Sequence, residues 1–266
     1  MLGDLTTLGP VKAWLGLDNT SSDAVLKRLI RGNSRSIMGH LQRPSFLSQT
    51  WTDTVDGRGN AAVFLEKWPV TAVASVAVDG RNIPPSIGGG TGWRLQPWDG
   101  YPPGGPQAIE LVCYSFPRGR LNVAITYTAG YMIAGEAQTV PSSGTLTTTN
   151  PQGCWAQDIG VTYASGAALT KVASSPSAGQ YSVDDDGAYS FNAADANASI
   201  LISYSYVPSD IEDACISWVA ERYRRKDRLG IKSQSAGGQV TVSYDTSDIP
   251  AYIKTQIQPY RRVLPT

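Results

Sequence analysis

The spacing of apolar residues predicts helices at both ends of the chain. A first helical pattern near the N-terminus stops at Gly16, and a longer one follows it. The apolar residues of the longer pattern recur at steps of about four: Leu26, Ile30, Ile37 and Leu41. Toward the C-terminus, Ser209 can cap a helix with acids in its first turn and bases near its end, and a last short helix is predicted from Pro250.

Between these ends the period changes to two. Residues 50–55 and 61–65 flank a turn-forming run, and the stretch from Leu121 to Tyr127 alternates clearly between apolar and polar positions. Residues 84–106 are rich in glycine and proline and predict a long loop. This part is therefore expected to form hairpins around a small sheet.

From about Gly135 to Tyr206 the chain carries only strand and turn signals, with Asp186-Gly187 as a hairpin turn. Short strands at this spacing predict a small β-sandwich or barrel. The predicted fold class is α+β, with a helical core that has a small β-sheet and an inserted all-β, sandwich- or barrel-like domain. The predicted domains are residues 1–134 with 207–266 as a discontinuous core, and 135–206 as the insert.

Charge is balanced overall but segregated along the chain. The 266 residues include 22 bases and 22 acids, and only 17% of them are charged. Residues 136–206 contain six acids and one base, whereas 222–232 contain six bases and one acid. Opposite patches of this kind suit head-to-tail association of identical subunits.

The sequence contains no recognisable catalytic set. His40 is the single histidine, and the three cysteines are widely spaced, which disfavours a triad, a disulfide framework and a zinc site. The run Asp184–Asp186 lacks calcium-loop spacing and predicts a turn. No catalytic residue, cofactor or metal ligand is predicted. No export signal and no apolar run of membrane-spanning length is present, so no membrane association is expected.

Several segments, taken in order, resemble the head-tail connector (adaptor) family of long-tailed bacteriophages. These segments are LTTL (5–8), VKAWLG (11–16), DAVLKRLI (23–30), HLQRP (40–44), TDTVDGRG (52–59), FLEKWPV (64–70), VAVDG (76–80), WVAERY (218–223) and IQPYRR (257–262). The resemblance covers residues 4–130 and 207–264. The chain departs from the family at 135–206, a segment that looks like small β-domains recurring in phage structural proteins.

The resemblance implies a non-catalytic virion subunit, assembled in the host cytoplasm, that forms a ring of twelve copies in the neck. Its implied partners are other copies, the portal protein and a stopper or tail-completion protein, around the exit channel for genomic double-stranded DNA. The C-terminal helix is the expected portal contact, through Tyr252, Ile253, Ile257, Tyr260, Arg261 and Arg262. Deleting 250–266 is expected to abolish portal binding and to leave a folded core.

Three other interpretations remain open from the sequence. The basic residues Arg224, Arg225 and Arg228 can contact DNA phosphates in the channel, or they can simply end a helix with solvated or interface charges. The β-rich insert can serve as a binding module for a glycan, capsid or host surface, using Trp155, Tyr163 and Tyr189. A hydrolase or nuclease acting on the genome would need clustered carboxylates, and the one cluster lies in a predicted turn.

Overall fold

A computed structural model describes residues 3–97, 100, 105–148, 152–225, 233–236, 240–243 and 249–262. Within it the chain divides into two compact units. Residues 1–41 and 134–258 form one unit, here called the helical unit, and residues 42–133 with 259–266 form the other, here called the sandwich unit. The contacts thus group the strands of 135–206 with the helices of both chain ends.

Four α-helices occur among the described residues. They are α1 (Leu8–Leu15), α2 (Asp23–Leu41), α3 (Ser209–Arg224) and α4 (Ala251–Ile257). The four apolar residues predicted for α2 are all buried, which confirms its amphipathic pattern. Gly16 ends α1 in the left-handed conformation with φ of 67°, and its N–H donates to the Ala13 carbonyl.

Among the described residues, the sandwich unit has seven strands in two antiparallel sheets. The strands are β1 (Gln49–Gly57), β2 (Ala62–Phe64), β3 (Val70–Val78), β4 (Arg81–Ile83), β5 (Gly92–Leu95), β6 (Ala108–Val112) and β7 (Gly119–Ala129). One sheet has the order β1-β7-β3-β4 and the other has the order β2-β6-β5. A shared apolar core includes Val76, Ile125 and Tyr127 from the first sheet and Ile109 and Leu111 from the second.

The remaining strands belong to the helical unit, except that the first two residues of β8 precede the boundary of that unit. They are β8 (Met132–Thr139), β9 (Thr145–Thr147), β10 (Gly153–Tyr163), β11 (Thr170–Lys171), β12 (Gln180–Val183), β13 (Ala188–Phe191), β14 (Ser199–Pro208), β15 (Ser233–Ala236) and β16 (Val240–Ser243). They form three sheets of order β10-β14-β8, β11-β12-β13-β9 and β15-β16. The predicted turn at Asp186-Gly187 is confirmed, because it joins β12 to its antiparallel partner β13.

The predicted helical core with a small β-sheet is wrong. Strands account for 39% of the chain and helices for 25%, so the protein is mostly β with some helix. The physical reason is that residues 42–133 form two sheets with their own apolar core, whereas the sequence indicated only hairpins around a small sheet. The mixture of helix and strand itself was predicted. None of the helices in the described residues has the length and apolarity needed to cross a membrane.

Candidate assembly surfaces

Side-chain contacts join the N-terminal helices to α3 within the helical unit. The Thr6 hydroxyl donates to Glu212 at 3.1 Å, and the hydroxyls of Ser22 and Tyr223 lie 2.6 Å apart. The two chain segments that resemble the adaptor family therefore contact each other, although about 200 residues separate them in sequence.

Two of the three cysteines lie beside this contact: Cys215 is buried in α3, and Cys154 is a half-buried residue of β10 next to Glu212. Burial raises the pKa of Cys215 to about 12, and its sulfur lies 3.7 Å from the Ser34 hydroxyl. Burial also raises the pKa of Cys154, which hydrogen-bonds Glu212, and burial raises the pKa of the Glu212 carboxyl. Both thiols are therefore protonated packing groups rather than nucleophiles.

These differences in exposure predict thiol reactivity. With a maleimide at pH 7.5, the exposed Cys113 is expected to react within minutes, the half-buried Cys154 more slowly, and the buried Cys215 only after denaturation. Intact-mass measurement should show one rapid adduct in the native protein and three adducts in denaturant. The Cys113→Ser variant serves as the control and should show no rapid adduct, so a rapid adduct in that variant would contradict the protection of the other two thiols.

The predicted portal-contact residues of α4 are divided between core and surface. Ile253 and Ile257 are fully buried in the helical unit, where α4 contacts α3. Tyr252 is 53% exposed, and its hydroxyl donates to Glu221 at 2.9 Å. Only Tyr252 of these three presents a side chain that a partner can contact without rearrangement.

The remaining predicted portal-contact residues belong to the sandwich unit. Tyr260 is 2% exposed, with its ring centroid 6.2 Å from that of Phe46. Arg262 is partly buried and pairs with Glu66 at 2.6 Å, whereas Arg261 is exposed. Arg261 is therefore the accessible cation of this set.

Because Tyr260 and the two isoleucines are core residues, we expect deletion of 250–266 to remove core packing as well, contrary to the expectation of an intact core.

The predicted DNA-contact residues at the end of α3 also differ from one another. Arg224 is exposed, Arg225 forms an ion pair with Glu221 one turn earlier, and Arg228 lies outside the described residues. The Arg222 guanidinium donates to the Asn33 side chain at 2.6 Å, which places the basic end of α3 beside α2. The exposed bases of α2 lie on the side of that helix away from the buried Asn33 and so do not share a face with Arg222: Lys27, Arg28, Arg31 and Arg35.

The aromatic residues proposed for a glycan site are part of the packing of the insert. Tyr189 is fully buried, and its hydroxyl accepts from the Trp155 indole at 3.1 Å and donates to Asp158 at 3.1 Å. Tyr163 donates to Asp195 at 2.7 Å. A glycan site would need these aromatic side chains to be exposed, but Tyr189 completes a buried hydrogen-bond network around Asp158.

A buried arginine in the sandwich unit was not identified from the sequence. The Arg43 guanidinium lies over the Trp68 ring at 4.0 Å and the Phe46 ring at 4.8 Å, and it donates to the Trp68 carbonyl. Among the described residues no carboxylate pairs with it. Burial lowers the pKa of Arg43, an effect that Tyr131 partly opposes. Cation–π contacts replace the usual ion pair at this position.

No metal centre is found in the part of the chain that the structure describes, where no three His, Cys, Asp or Glu residues are grouped suitably. The acidic run forms a turn instead. The Asp184 carboxylate accepts hydrogen bonds from the N–H groups of Asp186 and Ala188 at 3.0 and 2.8 Å. This arrangement is a side-chain-capped turn, in agreement with the turn predicted from the sequence.

Comparison with solved structures gives three chains that match this one. No protein-family model and no curated protein matches the chain. A similar solved chain belongs to the "Neck of empty GTA particle computed with C6 symmetry". It is 15% identical, the match covers 99% of this chain and 93% of that chain, and the TM-score is 0.42. A TM-score of 0.42 is too low to establish a common fold.

Proposed function

We propose that this protein is a structural, non-catalytic subunit of a phage head-to-tail connector. In this role it forms a ring that docks on the portal and links it to the stopper or tail around the DNA exit channel. The observation that carries the proposal is the ordered series of adaptor-like segments at 4–130 and 207–264. Its two helical parts contact each other through the Thr6–Glu212 and Ser22–Tyr223 hydrogen bonds.

Charge segregation supports association of identical copies. Helix α2 exposes Arg28 and Arg35 and α3 exposes Arg224, whereas the β12–β13 turn exposes three aspartates, Asp184, Asp185 and Asp186. The balanced total of 22 acids and 22 bases means that copies do not repel one another through net charge. Contacts between unlike surfaces of successive copies generate closed rings when the rotation between copies closes.

Electron microscopy tests this proposal directly. Negative-stain images of the purified protein, alone and mixed with the portal protein of the same particle, are expected to show rings that dock coaxially on the portal. Immunogold labelling of the virion should mark the neck. A protein that forms no ring with or without the portal, and that labels another part of the virion, would contradict the proposal.

The portal contact yields a point-mutation test that spares the core. Replacing the exposed Arg261 by glutamate is expected to weaken binding to the portal by about tenfold or more, because the change reverses an accessible charge at the contact. Arg81 in β4 is also exposed, so Arg81→Glu introduces the same charge change at a matched surface position. Biolayer interferometry against immobilised portal would measure both variants, and equal losses would contradict a portal contact at Arg261.

A further inference from the structure

Three cations of the sandwich unit line one small cavity. Arg43, Lys67 and Arg262 border a space of about 10 Å³, which Ser45 and Glu66 also line. A space of this size holds about one water molecule or one small ion. The three cations come from separate segments, since Arg43 follows α2, Lys67 precedes β3 and Arg262 follows α4. Folding therefore brings three positive charges to one place.

The carboxylates near this cavity do not balance its cations. Glu66 pairs with Arg262 at 2.6 Å and with Lys67 at 2.9 Å. Asp53 also pairs with Lys67, at 2.5 Å. Arg43 is 7% exposed and pairs with neither carboxylate, and in the described part of the chain no other acid forms an ion pair with any of the three cations. The group therefore carries one positive charge in excess, and burying such a charge without a counter-charge is costly.

The hydrogen-bonding groups around the cavity are rich in donors. Arg43 Nη1 and Arg262 Nε are buried atoms that find no hydrogen-bond acceptor among the described residues. The Ser45 hydroxyl oxygen accepts from the N–H of Leu47 at 2.9 Å and from the Gln49 amide at 3.4 Å, so its own hydrogen is available to donate. A guanidinium group has no acceptor atom. A ligand that satisfies these groups therefore has to be an acceptor.

We propose that this cavity binds one small inorganic anion of the size of chloride, held by Arg43, Ser45 and Arg262. A water molecule can also accept hydrogen bonds from these groups, but it cannot compensate the excess charge. Hydrogen bonds from a guanidinium to an anion are about twice as strong as those between neutral groups. The site does not depend on the proposed ring, because all of its residues belong to one unit of one copy. A bound anion would join the segment after α4 to the segment after α2.

Bromide in place of chloride makes the site visible by anomalous X-ray diffraction. Crystals of the full chain soaked in sodium bromide are expected to show an anomalous peak between the guanidinium groups of Arg43 and Arg262. In solution, the urea midpoint is expected to rise as sodium gluconate is replaced by sodium chloride at constant ionic strength. The reason is that a ligand which binds only the folded state stabilises that state by mass action. Gluconate is too large for the cavity and serves as the reference anion.

Two arginine variants separate the site from general effects of salt. Arg262→Gln removes the charge excess and one donor, so it is expected to weaken chloride binding by about tenfold or more and to abolish most of the rise in the urea midpoint. Arg94→Gln is the matched control and should keep the rise. Arg94 pairs with Glu110 at 2.7 Å in the same unit but does not line the cavity, so each variant loses one arginine–glutamate ion pair.

Each outcome decides the inference. An anomalous peak in the cavity, with a chloride response that Arg262→Gln loses and Arg94→Gln keeps, supports it. A water molecule or a carboxylate group in the cavity, without anomalous signal, overturns it. A chloride response that both variants keep is a general salt effect, and one that both variants lose is not specific to the cavity, so either result overturns it. A peak in the crystal without any chloride response in solution is binding at crystal concentration only and also overturns it.

Discussion

Replacing Tyr260 by alanine is expected to lower the free energy of unfolding by about 3–5 kcal/mol, the usual cost of removing a large buried aromatic side chain. Tyr260 is 2% exposed, and its ring lies 6.2 Å from Phe46 and 6.3 Å from Tyr131 between centroids. Removing the tyrosine side chain leaves a cavity beside these two aromatic rings, and neither ring can move to fill it. Urea unfolding monitored by tryptophan fluorescence would measure the loss.

Tyr252→Ala provides the control for this prediction. Tyr252 belongs to the same C-terminal segment but is 53% exposed, and it loses only a surface hydrogen bond to Glu221. Its stability is expected to change by less than about 1 kcal/mol. If the two variants were equally stable, the C-terminal segment would be a detachable arm rather than part of the core.

The C-terminal segment shows what its sequence pattern could and could not predict. Spacing alone grouped Tyr252, Ile253, Ile257 and Tyr260 on one apolar face, and three of these residues are indeed buried. Spacing could not show whether these residues pack against the core of their own chain or against a partner protein. An apolar helix face has the same sequence pattern in both cases. The portal contact at these residues therefore stays a prediction, supported by exposure only at Tyr252 and Arg261.

The fold class was misjudged for a related reason. Strand β7 alternates cleanly and was predicted, but its partner β1 lies about 75 residues earlier, with Thr50 opposite Thr128. Strand β10 contains two bulges, after Trp155 and after Asp158, and each bulge breaks the alternation that marks a strand. Helix patterns are local and were visible, whereas sheets depend on distant pairing, so the amount of strand was underestimated.

The Arg43 site was missed because nothing in its local sequence distinguishes it from a surface arginine. Its neighbours Phe46, Trp68 and Tyr131 come from three separate segments, and only folding brings their rings around one guanidinium. The sequence offered a weak signal in the aromatic residue that follows Arg43 three positions later. Recognising the site would have required knowing that the loop before β3, which contains Trp68, folds against Arg43.

Arg43→Ala is expected to destabilise the protein by about 2–4 kcal/mol, because it removes a buried side chain that contacts three aromatic rings and leaves the Trp68 carbonyl without its donor. The Arg43→Met variant separates packing from charge, since methionine can fill much of the same volume without the cost of burying a cation that has no carboxylate partner. Methionine is expected to recover more than half of the loss, measured as the difference in urea midpoint at constant slope. If Arg43→Met were as unstable as Arg43→Ala, the cation–π contacts and the carbonyl hydrogen bond would be the main source of stability, and packing would be secondary.

Because no acid pairs with this arginine among the described residues, the stability that Arg43 gives the protein should also persist in 1 M salt, where a surface ion pair would be screened.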